Sequence, residues 1–145
     1  MKTTAILYLM VKDHRKIVGL LNDVKKVIGQ DIISTMRVFD KFEWELEKHI
    51  FTEEKAIFTS YNPTNIIEGY AMVPELIKEH NEILNNLRLM RKDIKKQRKF
   101  DFDTFVEVLM NHKTFEENSL YPKLDQELEE SQKKMIVDRI SQILS

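Results

Sequence analysis

Leu7, Met10, His14, Ile17, Leu21, Val24 and Ile28 follow one another in alternating steps of three and four without a miss. Only an α-helix puts such residues on one face, so the chain opens with a long helix that buries a single stripe. Gly29 offers its stop. The same rule picks out three more segments. Residues from about 30 to 59 carry Phe42, Leu46, His49, Glu53 and Ile57 along one face. A third helix carries Leu76, His80, Ile83, Leu84, Leu87, Met90 and Ile94, and a fourth carries Phe105, Leu109, His112, Glu116 and Leu120. Asp101 or Asp103 caps the fourth. "SYNPTNIIEGYAMVP" interrupts the pattern with two prolines and a glycine, which predicts a loop over Ser60–Val73 with Pro74 at the first position of the third helix. Pro122 is expected to end the fourth helix. "KLDQELEESQKKMIVDRISQIL" then reads as a shorter fifth helix laying Leu128, Met135, Ile136, Ile140 and Ile143 on the outside.

With 3 Gly and 3 Pro in 145 residues, little breaks these helices. The prediction is all-α: an up-down-up-down four-helix bundle with a short C-terminal fifth helix, residues 1–145 forming one domain. The 23 basic and 24 acidic residues nearly cancel, so no nucleic-acid or membrane field is expected. Zero cysteines exclude disulfides, thiolate metal sites and cysteine nucleophiles. The apolar run Ala5–Val11 ends in "KDHRK" without a small-residue cleavage pattern, and no stretch approaches the ~20 apolar residues of a membrane span. The chain reads as soluble and cytoplasmic.

Each long helix carries one of the 4 histidines, and each histidine sits on the apolar stripe. If a stripe covers about three-sevenths of a helix, four random placements all land inside it roughly 3% of the time. At 1.5 Å of rise per residue, His14, His49, His80 and His112 fall roughly 9–15 Å from the same end of the bundle. They can meet at one level. "HIFTEEKAIF" and "HKTFEENSLY" each place a glutamate four residues after a histidine, so Glu53 and Glu116 follow His49 and His112 into the core. Buried glutamates beside four imidazoles are supported if cations stand between them. Four imidazoles and two carboxylates suit two divalent ions, each carboxylate bridging both. Iron or manganese fits nitrogen and oxygen donors without sulfur, and zinc less characteristically. The order His-x-x-x-Glu is not the Glu-x-x-His of ferritin-type sites, and no HExxH motif occurs. Glu54 and Glu117 leave the stripe and read as solvated charges.

From residue 1 to 122, "DH" at 13–14, "HIFTEE", "EH" at 79–80 and "HKTFEENSLYP" together resemble the hemerythrin-like, or HHE cation-binding, family of non-heme di-iron proteins. The resemblance implies that His14 and His49 hold one iron, His80 and His112 the other, and that Glu53 and Glu116 bridge an oxo- or hydroxo-linked pair. Oxygen-carrying members have a fifth histidine where Leu84 stands, and an aspartate bridge five residues past the last histidine, where this chain has Glu116 at four. The four-His, two-Glu set looks more like the di-iron domain of the iron–sulfur cluster repair proteins, which usually add an N-terminal cysteine segment that this chain lacks. What the resemblance implies is binding of dioxygen, peroxide or nitric oxide at iron. Cluster repair by iron donation, or reduction of nitric oxide or peroxide, is the alternative; a metal-stapled structural or docking module is the second.

Around this set, Tyr61, Tyr70 and Tyr121 lie at the metal end, as anchors or as hydrogen-bond donors to a bound oxygen species. Tyr8, below His14 on the first helix, is offered the same two roles; Trp44 reads as a packing residue, and the methionines as gap-fillers. Arg88, Arg91, Lys92, Lys95, Lys96 and Lys99 form a basic face that is solvated or docks an acidic protein partner.

Overall fold

The computed structural model describes residues 2–59, 66–67 and 70–144. Helix α1 spans Ala5–Val27 and gives way at Gly29, whose φ of +88° is a left-handed conformation open to glycine at little cost. Helix α2 spans Ile32–Thr52, capped by Asp31, whose side chain accepts from Ser34 N at 2.8 Å. The long second helix predicted to residue 59 is not uniform: from Glu53 to Phe58 it widens into a π-helix. Two residue pairs, β1 (Ile66–Ile67) and β2 (Tyr70–Ala71), form a minimal antiparallel ribbon inside the predicted loop. The rest of that loop, with Tyr61, lies outside the described residues, as does the side chain of Tyr70.

Helix α3 spans Met72–Lys95, so it starts two residues before Pro74 rather than at it. Proline is tolerated there because a first-turn N–H has no intrahelical partner to lose. Of the two candidate caps for α4 (Phe102–Phe115), Asp101 does the capping, accepting from Thr104 N at 3.0 Å. Pro122 does not end this rod. The helix passes through a second π segment, Glu116–Leu120, and continues as α5, Tyr121–Glu127, with Pro122 in its first turn. The break comes instead at Leu128, whose ψ of 144° is extended, and α6 follows over Glu130–Leu144.

The apolar side chains form two clusters. One gathers Val24, Phe39, Phe42, Leu87, Ile94 and Phe105 with their neighbours. The other gathers Ile6, Met10, Ile57, Leu76, Leu120, Tyr121 and Leu124, and here α6 adds Ile136 and Ile140. Helix α6 is therefore part of the core at one end of the bundle; Met135, predicted to pack with it, is 65% exposed. Helices α1 and α3 pass from one cluster to the other at their histidines: His14 between Met10 and Ile17, His80 between Leu76 and Ile83. A polar layer is thus sealed by apolar side chains on both sides.

The N-terminus of α1 has no local cap. Asp125 of α5 supplies one, its two carboxylate oxygens accepting from Ile6 N at 3.1 Å and Leu7 N at 3.0 Å. Lys133 of α6, only 1% exposed, donates to the Asp125 carbonyl at 2.9 Å and to the Thr3 carbonyl at 2.7 Å. At the other end Arg91 is held by Asp40 and Glu43 of α2 and stands over the Phe39 ring, so it is spoken for within the chain.

Candidate metal centre

All six residues singled out by spacing converge on the polar layer. His14, His49, His80, His112, Glu53 and Glu116 are buried, the two glutamates and His80 completely. Donor atoms of Glu53, His80, His112 and Glu116 lie within 4.8 Å of one another, as do those of His14, His49 and Glu116. Glu116 belongs to both groups. Glu53 Oε1 also reaches both pairs of histidines, at 3.3 Å from His49 Nε2 and 3.2 Å from His80 Nε2. Both glutamates are the first residue of a π segment. A π turn adds a residue to the helix and re-aims the side chains that follow, a device concentrated at functional sites.

The histidines are oriented by carboxylates that spacing along one helix did not reveal. His49 Nδ1 donates to Asp13 at 2.7 Å, His80 Nδ1 to Glu54 at 2.8 Å, His112 Nδ1 to Glu79 at 2.6 Å and His14 Nδ1 to Glu117 at 2.7 Å. Glu54 and Glu117, expected to be ordinary solvated charges, are therefore the partners of His80 and His14. Asp13 and Glu79 stood in view within the "DH" and "EH" pairs, but each serves the histidine of the next helix and not its chain neighbour. With every Nδ1 proton committed outward, each Nε2 turns its lone pair to the centre.

That centre is rich in acceptors. Glu53 Oε1, Glu116 Oε2, His80 Nε2 and His112 Nε2 are buried with no hydrogen-bond partner among the described residues. His14 Nε2 and His49 Nε2 face each other at 3.0 Å. Lone pairs packed this closely require cations or protons between them, so the donor set fits metal ions. In the cluster without metal, protons fill the role. Burial works against a charged His49 most strongly, yet Glu53, Asp13 and Glu116 outweigh it and carry the imidazole up to about 10. The same contest, won by Glu116 and Glu53, lifts His80 to about 11, and Glu116 with Glu79 lifts His112 to about 9. Burial would raise the Glu116 carboxyl, but its contacts with Glu53, His112 and His14 hold it well below the usual range.

Tyr121 completes the layer. Its ring is fully buried, and its hydroxyl donates to Glu53 Oε2 at 2.9 Å or Glu116 Oε1 at 3.2 Å. The same oxygen stands 3.3 Å from His14 Nε2 and 3.5 Å from His49 Nε2. Burial and the two glutamates push the phenol well above its ordinary value, so it stays a donor. By contrast Tyr8 is 66% exposed, and Trp44, read as a packing residue, is 65% exposed.

A bundle of helices with a sealed layer of imidazoles and carboxylates is a metal-binding helical protein. The comparison with known families agrees: residues 5–124 match the hemerythrin HHE cation binding domain, and the chain belongs to that family. No curated protein and no solved structure matches it. No helix among the described residues is long and apolar enough to cross a membrane.

Proposed function

We propose that the chain is a non-heme di-iron protein that binds a small oxidant, namely dioxygen, peroxide or nitric oxide, inside the bundle. In this reading His14 and His49 hold one ion, His80 and His112 hold the other, and Glu53 and Glu116 lie across both. Manganese or zinc are the alternative occupants. Iron, when bound, supplies the redox-active centre at which such a ligand attaches.

The observation that carries this reading is a cavity of about 20 Å³ reached by His14, His49, His112 and Glu116. Its inner walls are apolar, among them Ile17, Leu46, Ile50, Ile83 and Leu109. A space of that size admits only the smallest molecules and excludes bulky substrates. Val18, Met110 and Lys113 line it from α1 and α4, which marks that seam as its outer side. Tyr121 belongs to the opposite apolar cluster, where its hydroxyl holds the glutamates in position. Apolar walls exclude water, and the four outer carboxylates keep the imidazoles aimed; the chain supplies shape and orientation. A chain without cysteine suits a reducing compartment, and we place it in the cytoplasm.

Metal analysis of the aerobically purified protein, with its absorption spectrum, tests the centre. About two irons per chain are expected, by analogy with di-metal bundle sites. Stopped-flow mixing of the diferrous protein with dioxygen and with nitric oxide then tests the ligand class. A stable adduct supports binding and sustained consumption supports turnover. A colourless protein that ignores added ferrous iron overturns the proposal.

A further inference from the structure

Helix α2 carries two seams of the same period on opposite sides. The inner one, Thr35, Phe39, Phe42, Leu46, His49 and, at the head of the π segment, Glu53, is buried throughout. The outer one runs Ile33, Arg37, Asp40, Trp44, Glu47 and Phe51, again in steps of four and three, and every member is exposed. Single exposed apolar residues are ordinary on a protein surface. Here Ile33, Trp44 and Phe51, at 73%, 65% and 52% exposure, sit in line on one 3.5-residue seam, which is the pattern of a helix that packs against another helix. No helix of the chain covers the six side chains of this seam among the described residues, although α6 lies beside α2 and brings Ile143 to the Phe51 end. At the Phe51 end the seam opens into a groove with Ile50, Leu84 and Ile143.

We propose that the outer seam of α2 is a dimer interface, in which α2 packs antiparallel on α2 of a second copy about a two-fold axis. The charges select this arrangement. Side by side in parallel register, Arg37 would meet Arg37 and Glu47 would meet Glu47. Antiparallel, with the axis beside Phe42, Ile33 meets Phe51 of the second copy and Arg37 meets Glu47. Trp44 lies across from the Asp40–Arg91 ion pair. Symmetry makes each contact twice. A helix of 21 residues spans ~30 Å, short for a standard interface, so the association is reversible.

Sedimentation from micromolar to millimolar concentration tests this directly, with Trp44, the single tryptophan, as the optical reporter. The expected result is a monomer–dimer equilibrium in which tryptophan emission shifts to shorter wavelength as the dimer forms. Arg37→Glu and Glu47→Arg should each weaken association by roughly tenfold or more through like-charge contact, and the double reversal should restore it. Both changes suit the helix dipole, so neither should unfold α2. A monomer at every concentration overturns the proposal, as does a dimer indifferent to Arg37→Glu or a double reversal that stays monomeric.

Discussion

His14 donates its Nδ1 hydrogen bond to Glu117, 2.7 Å away and 103 positions along the chain, although Asp13 is its immediate neighbour. Asp13 turns the other way, to His49. The pattern continues around the bundle: α1 supports the histidine of α2, the π segment after α2 supports that of α3, α3 that of α4, and the π segment after α4 returns to α1. The four helices are locked to one another in a closed ring through the outer nitrogens of their histidines. Displacing one helix would disturb two histidines.

Breaking one link of the ring should therefore loosen metal without unfolding the bundle. Asp13→Asn and Glu79→Gln are each expected to lower metal affinity by about 10–100-fold, the usual effect of losing an outer partner of a ligating histidine. Competition with a chelator measures the loss, and far-ultraviolet circular dichroism should stay at the wild-type value. Unchanged affinity in both variants would separate the ring from metal binding.

Tyr121→Phe removes the donor shared by Glu53 and Glu116. A buried carboxylate that loses such a bond costs about 1.5–3 kcal/mol, so urea denaturation of the metal-free variant should show a drop of that order. The metal-loaded variant should be affected less, because cations then neutralise the carboxylates. Equal losses with and without metal would point to simple packing.

Proton linkage gives a prediction with a definite sign. His49, His80 and His112 are raised from 6.5 to about 10, 11 and 9, so the folded metal-free protein binds more protons than the unfolded chain. Their stabilisation is full below pH 6.5 and is lost as pH rises through those raised values. The melting temperature of the metal-free protein should accordingly fall from neutral to alkaline pH. Metal binding at neutral pH must displace the same protons, so calorimetry in buffers of different ionisation enthalpy should record proton release, and affinity should weaken as pH falls.

Asp125→Ala tests the cap delivered to α1 from α5. Loss of a cap costs about 0.5–2 kcal/mol, and the buried Lys133 would lose a carboxylate 3.6 Å away. The total is expected to exceed the cost of a typical cap, with Asp125→Asn recovering part of it. Thermal melts of the two variants decide the point.

Much of this molecule was readable from spacing alone. Heptad-like steps within one segment determine which residues share a face, because helical geometry is local. That is why the four helices and the six convergent side chains were legible, whereas the family was reached by the resemblance of the combined motifs. The π segments were not, since a widened turn depends on what the glutamate at its head must reach. Nor was the continuation past Pro122, which follows from where a proline falls in a first turn.

What only the tertiary structure decided is which residue faces which across helices. Asp13, Glu54, Glu79 and Glu117 flank the stripe, and a flank position meets a neighbour whose identity is set by rotation and height in the bundle. The hydroxyl of Tyr121 and the Asp125–Lys133 clasp belong to the same class: pair distances between separate rods. One strand of sequence specifies its own face through the rise and twist of its backbone; it specifies another helix's only through packing.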